Sequence, residues 1–161
     1  MTRGGRLIIV PLDGSPLAEA VLPVALDLAA LPKVEVTFLQ VIVPPEGVIG
    51  NGEGITIDQQ WASEKCRARE YLDRIRARPE WQVCDVDVAV ELGKPAETIL
   101  EFADAHKAAY IVMSTHGRSG VQRWVYGSVA DKVLRAARTT VVLVRAGRPR
   151  DVHEDSQPPT R

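Results

Sequence analysis

Cysteine is scarce in this chain: Cys66 and Cys84 are the only two. They form no C-x-x-C pair and no metal-ligand spacing, which argues against a disulfide scaffold or a zinc site and makes a reducing cytoplasm the expected compartment. No apolar run approaches the ~20 residues that cross a bilayer, so no membrane span is expected. The opening MTRGGRLIIVPLDGS has a short apolar stretch, broken by Pro11 and Asp13, and does not read as a signal peptide. Excess charge is missing too. Twenty Lys and Arg against 21 Asp and Glu leave a net charge of −1 and a pI near 6.3, without the basic footprint of a nucleic-acid binder. What remains is ordinary globular composition: 161 residues, 45% hydrophobic and 25% charged, the length of one domain. A chain of roughly 150 residues buries about 68–70% of its unfolded surface, enough for a core without staples.

Residues 6–12 (RLIIVPL) form a continuous apolar run ending at Asp13-Gly14-Ser15. Such a run suits a strand buried on both faces of a parallel sheet. Ser15-Pro16 reads as a helix N-cap with proline at the first helical position. Ala18, Val21, Leu22, Ala25, Leu26 and Ala29 then make one buried helical stripe, with a bend expected at Pro23. Residues 34–43 (VEVTFLQVIV) are the second strand. Two prolines and four glycines in residues 44–54 mark a long loop. Residues 58–78 read as a charged amphipathic helix closed by Pro79. Residues 82–91 (QVCDVDVAVE) alternate like a half-exposed strand near a sheet edge, with Cys84 on its core face and Cys66 on a helix face. Gly93-Lys94-Pro95 turns into a helix over 96–106, and residues 109–114 are a buried fourth strand. A glycine-rich loop over 115–126 leads to a helix from Gly127 or Ser128 to Ala137, and residues 139–145 are the fifth strand. Residues 146–161 carry three prolines and almost no apolar side chains, so a disordered tail is expected after a folded domain over 1–145.

Strands alternating with helices imply an α/β fold: one doubly wound, five-stranded parallel sheet with helices on both faces. The two most apolar short strands, the first and fourth, belong in the centre, giving order 3-2-1-4-5. Ligands of such sheets bind beyond the strand ends where the order reverses. The residues that follow Leu12 and Met113 are therefore the ones to read for function.

After the fourth strand the chain reads Ser114-Thr115-His116-Gly117-Arg118-Ser119-Gly120, and six residues later Gly127-Ser128. Glycines let the backbone approach a ligand closely. The first N–H groups of the helix opened by Gly127-Ser128 have no intrahelical partner, and with the helix dipole they form an anion site. Ser128 adds a hydroxyl and Arg118 a charge, an arrangement suited to a polyphosphate. A tight turn with a glycine N-cap accounts for the glycines equally well. Asp13 lies just past a central strand, where capping the first helix or bonding turn amides is its structural alternative.

The spacing resembles the universal stress protein family, whose nucleotide-binding branch carries G-x2-G-x9-G-[S/T] after its fourth strand. The aligned positions are Ser114, Gly117, Gly127 and Ser128, with serine in place of the first glycine. The strings IIVPLDGS, MSTHGRSG, GSVADKVL and TTVVLVR are similar to this family as well, so the resemblance runs from about Leu7 to Arg145. It implies an adenine nucleotide across the ends of strands 1, 2 and 4. Pro11 and Asp13 would border adenine and ribose, and backbone groups of Val41 would meet the adenine edge. Met113, Ser114, Thr115, His116 and Gly117 would contact ribose and the first phosphates. Arg118, Ser119, Gly120, Gly127, Ser128 and Val129 would hold the rest. The expected ligand is ATP, with Mg2+ or Mn2+ entering only through the phosphates because no carboxylate cluster marks a metal site. The resemblance also implies a homodimer through the last strand, Thr139 to Arg145, which as an edge strand would otherwise expose unpaired amides.

Competing motifs fail on spacing. Gly93-Lys94-Pro95 lacks the rest of a Walker A loop, Gly50, Gly52 and Gly54 do not join a strand to a helix, and HGRSG is not G-x-S-x-G. His116 has no nearby carboxylate to orient it, so no general base emerges and at most slow ATP hydrolysis is expected. The reading is thus a cytoplasmic, ATP-binding stress-response regulator. Two alternatives stand beside it: an interaction protein on the same fold that binds no nucleotide, and an adenylate-forming hydrolase. The second lacks a glycine-rich loop after the first strand.

Overall fold

The computed structural model describes residues 6–44, 57–115 and 127–145. Five parallel strands form one sheet in the order β3-β2-β1-β4-β5. They are β1 (Arg6–Pro11), β2 (Val34–Ile42), β3 (Asp85–Leu92), β4 (Tyr110–Ser114) and β5 (Thr140–Val144). The helices are α1 (Pro16–Glu19), α2 (Leu22–Ala29), α3 (Ile57–Arg76), α4 (Pro95–Ala105) and α5 (Ser128–Ala136). Among the described residues no helix is long and apolar enough to cross a membrane. The expected tail, residues 146–161, lies outside the described residues.

Side chains of a strand alternate between faces, and here that alternation divides the core into two layers. Ile8 and Val10 of β1, Val36 and Phe38 of β2 and Val112 of β4 pack with α1, α2 and α3. Ile9, Leu39, Ile111 and Met113 pack on the opposite face with α4 and α5. Ile8, Ile9 and Val10 are completely buried, as the apolar run at the sheet centre requires. β3 keeps the alternating pattern of an edge strand. Under the α3 layer Trp81 is buried and meets Phe38 edge to face, with centroids 4.8 Å apart.

Two local readings change. The first helix breaks into α1 and α2 rather than bending. Pro23 has no N–H to offer the carbonyl of Glu19, and it sits instead in the first turn of α2, where that donor is not needed. Ser15 caps α1 as expected, its hydroxyl accepting from the Ala18 amide at 3.1 Å. The third strand starts at Asp85, three residues late. A 3-10 turn over Pro79–Trp81 draws the next residues into turn bonds, Gln82 N–H to Pro79 O and Cys84 N–H to Trp81 O. Cys84 is therefore a half-buried turn residue packed against the core rather than a strand residue. Cys66 lies exposed on α3.

β1 pairs with β2 over six positions, Arg6↔Val34 to Pro11↔Leu39. With β4 it pairs only at Ile8↔Tyr110 and Ile9↔Ile111. The connection leaves β1 for β2 and β3 on one side and returns to β4 on the other, so β1 and β4 part at the switch point. The crevice of a doubly wound sheet opens there.

Candidate functional site

Each strand that reaches the crevice ends in a residue placed by the ladder below it. β1 stops at Pro11, and the Leu12 amide makes the last bond to β2, donating to Leu39 O at 2.8 Å. The chain then turns away through Asp13 and Gly14. Gly14 has φ 83°, a left-handed conformation that favours glycine, and Asp13 Oδ1 accepts from the Ser15 amide at 2.9 Å. Asp13 thus has the turn-bonding role set out as its structural alternative, at the mouth of the crevice.

Along β2 the main-chain groups alternate between neighbours. Ile42 O accepts from Gly93 on the β3 side, and Leu39 O accepts from Leu12 on the β1 side. By that alternation the N–H and C=O of Val41 face the β1 side, two residues beyond the end of the β1–β2 ladder. One donor and one acceptor are presented side by side.

On the other flank β4 leads to Ser114 and Thr115, both buried. Thr115 is held from two directions: its N–H donates to Val144 O at 2.9 Å, and its C=O accepts from Gly127 N–H at 2.7 Å. Thr115 and Gly127 are thereby tied together. Gly127 is the N-cap of α5 and has no side chain to cap with. The first helical bond is Asp131 N–H to Gly127 O, so the amides of Ser128, Val129 and Ala130 have no intrahelical partner. The positive end of the helix dipole points the same way. Asp131, one turn in, is paired with Arg135 at 2.9 Å.

These parts surround one cavity of about 800 Å³. Of the residues expected from the sequence, Pro11, Asp13, Val41, Met113, Ser114, Thr115, Gly127, Ser128 and Val129 line it. His116, Gly117, Arg118, Ser119 and Gly120 lie outside the described residues. The structure adds walls that the sequence reading did not include. Pro95 and Ile99 of α4 close one side, and Gln40, Glu64, Arg67, Ala68 and Tyr71 close the α3 side. Glu64, Arg67, Ala68 and Tyr71 are spaced so that they share one face of α3. Tyr71 donates its hydroxyl to Glu19 at 3.2 Å, and Arg78 meets the same carboxylate at 2.7 Å. Burial, then the charges of Glu19 and Asp13, push the Tyr71 phenol well above its ordinary range, so it stays neutral and acts as a donor. Among the described residues no cluster of three His, Cys, Asp or Glu could hold a metal ion.

A doubly wound α/β protein with a crevice at its switch point is what this geometry defines. Residues 6–145 match the model of the universal stress protein family, and the chain belongs to that family. It is 30% identical over 142 residues to the universal stress protein MJ0531 of Methanocaldococcus jannaschii, covering 87% of this chain and 82% of the relative. It is also 30% identical over 140 residues to a universal stress protein of Mycolicibacterium smegmatis, but spans only 45% of that relative's length. Among solved structures, the hypothetical protein MJ0577 superposes with a TM-score of 0.78 at 23% identity, over 89% of this chain and 98% of that one. A universal stress protein in complex with cAMP superposes at 0.63 and 23% identity, over 89% and 98% of the two chains. One from Archaeoglobus fulgidus in complex with dAMP superposes at 0.58 and 23% identity, over 86% and 96%.

Proposed function

We propose that this chain is an ATP-binding member of the nucleotide-holding branch of its family, acting in the cytoplasm as a dimeric sensor or regulator of the stress response. The observation that carries the reading is the convergence on one cavity of two unlike recognition elements. The Val41 main chain offers the donor–acceptor pair an adenine edge needs, and the amides of Ser128, Val129 and Ala130 offer the donors a phosphate needs. Similar folds holding cAMP and dAMP support the adenine class. The cavity volume falls within the roughly 300–1,000 Å³ of small-molecule sites. On this reading Pro11 and Asp13 border base and ribose, and Met113, Ser114 and Thr115 run beneath the ribose and first phosphate. Gly127, Ser128 and Val129 hold the outer phosphates together with His116 to Gly120, and Mg2+ or Mn2+ enters on the phosphates. Calorimetry with ATP tests it: binding heat and a raised thermal midpoint are expected, and no response at millimolar ATP overturns it. One observation favours a nucleotide-independent interaction protein, the serine at position 114 where the motif has glycine, and the same titration separates the two.

The dimer forms through β5. Among the described residues this strand pairs with β4 on one edge only, and Val141, Val142, Leu143 and Val144 remain half-buried at the rim of the sheet. Antiparallel pairing with a second copy satisfies its outer amides and covers those side chains. Sedimentation at micromolar concentration is expected to show a dimer; a purely monomeric boundary removes this part of the reading.

A further inference from the structure

We propose that Gln40 reads the base, its side-chain amide oxygen accepting a hydrogen bond from the exocyclic amine of adenine. The inference rests on the adenine-nucleotide reading above and assigns its base selectivity to a side chain. On the face of β2 toward α3 the strand places Val34, Val36, Phe38, Gln40 and Ile42, and every one except Gln40 is a buried apolar residue. The Gln40 Oε1 atom is itself buried and has no hydrogen-bond partner among the described residues. A buried acceptor without a donor carries its full desolvation cost, which an apolar side chain of the same shape would avoid. A donor arriving with a ligand removes that cost, and Gln40 lines the cavity where such a ligand would lie.

The surrounding wall narrows the chemistry. Tyr71 already gives its hydroxyl to Glu19, and Glu64 and Arg67 are exposed at the rim. Gln40, half-buried but with its Oε1 atom buried, is therefore the side chain on this wall with an acceptor left to give, next in sequence to Val41. The adenine amine carries two N–H groups. The Val41 carbonyl accepts one and Oε1 the other. Hypoxanthine, with a carbonyl at the same ring position, would set oxygen against oxygen.

Calorimetry with AMP and IMP, which share ribose and phosphate, tests the assignment on the full chain and on Gln40→Met. The wild-type protein is expected to prefer AMP over IMP through both the Val41 main chain and Gln40, with about tenfold of the ratio, the scale of one neutral hydrogen bond, owed to Gln40. In Gln40→Met the AMP-to-IMP ratio should fall about tenfold, through weaker AMP binding, leaving the share owed to the Val41 main chain, with a thermal midpoint equal to or above wild type. Gln40→Leu repeats the measurement if the methionine variant does not fold. Equal wild-type affinities, a preference for IMP, or a ratio unchanged by the substitution each overturn the role of Gln40 while leaving nucleotide binding intact. If neither AMP nor ATP binds the wild-type protein, the nucleotide reading falls and this inference with it.

Discussion

Replacing Ser128 by aspartate is expected to weaken ATP binding on the order of a hundredfold while leaving the folded state as stable as before or more so. The two effects share one cause. Ser128 is the first residue of α5, beside amides that have no intrahelical acceptor. A carboxylate there complements the helix dipole, which contributes about 0.3–1 kcal/mol to stability. It also places a negative charge where the phosphates would lie. Two unit charges about 5 Å apart at an effective dielectric near 20 repel by roughly 3 kcal/mol, which corresponds to about a hundredfold in affinity. Ser128→Ala, which removes only the hydroxyl, should cost no more than about tenfold. Calorimetry at fixed ionic strength gives the affinities and a thermal melt gives the stability. Unchanged ATP affinity in Ser128→Asp would place the phosphates elsewhere.

The largest loss of stability is expected at Gly93. This residue has φ 150°, and its amide donates to Ile42 O at 3.0 Å, so the backbone is fixed at the end of the β2–β3 ladder. A Cβ added there would stand 2.5 Å from Thr98 Oγ1. Gly93→Ala combines backbone strain of about 1–3 kcal/mol with an overlap of similar size, together about 3 kcal/mol. For a domain of this length that lowers the thermal midpoint by about 10 °C. The double variant Gly93→Ala/Thr98→Ala should recover the overlap and keep the strain, regaining about half the loss. A single variant that melts within 2–3 °C of wild type, about 1 kcal/mol, would contradict the account. The position also bears on the site, because the turn at Gly93 sets the start of α4, and Pro95 and Ile99 of that helix line the cavity.

Most of this architecture can be read from residue patterns because the sheet interior enforces them. The run LIIV has no polar position that could face water, so it belongs at the centre, and β1 is found there with Ile8, Ile9 and Val10 buried. The alternating DVDVAV belongs at an edge, and β3 is there. The pattern misleads where periodicity continues past a break in the backbone. The stripe from Ala18 to Ala29 keeps helical spacing across Pro23, although the bond that proline removes splits the helix. Upstream of β3, Val83 and Cys84 look like strand residues, but the Trp81 turn claims them and leaves Val83 85% exposed. For the site, glycine spacing points to Gly127 and Ser128 and the end of the first strand to Asp13, while Pro11, Met113 and Ser114 come from the family resemblance. The α3 wall was not legible, since which helix face reaches the crevice depends on how α3 lies across β2 and β3. Gln40 was hidden for a related reason. A lone polar residue in an apolar strand gains meaning only when its oxygen is found buried without a donor.

Thr115 has one further consequence. Its amide holds the rim strand β5 at Val144, and its carbonyl holds the start of α5 at Gly127. A single residue thus stands between the edge where a second copy would add and the amides that would grip an anion. If a second copy adds at β5 and an anion binds at α5, any effect of the first on the affinity of the second is returned by the same factor, and Thr115 is the residue bonded to both sides.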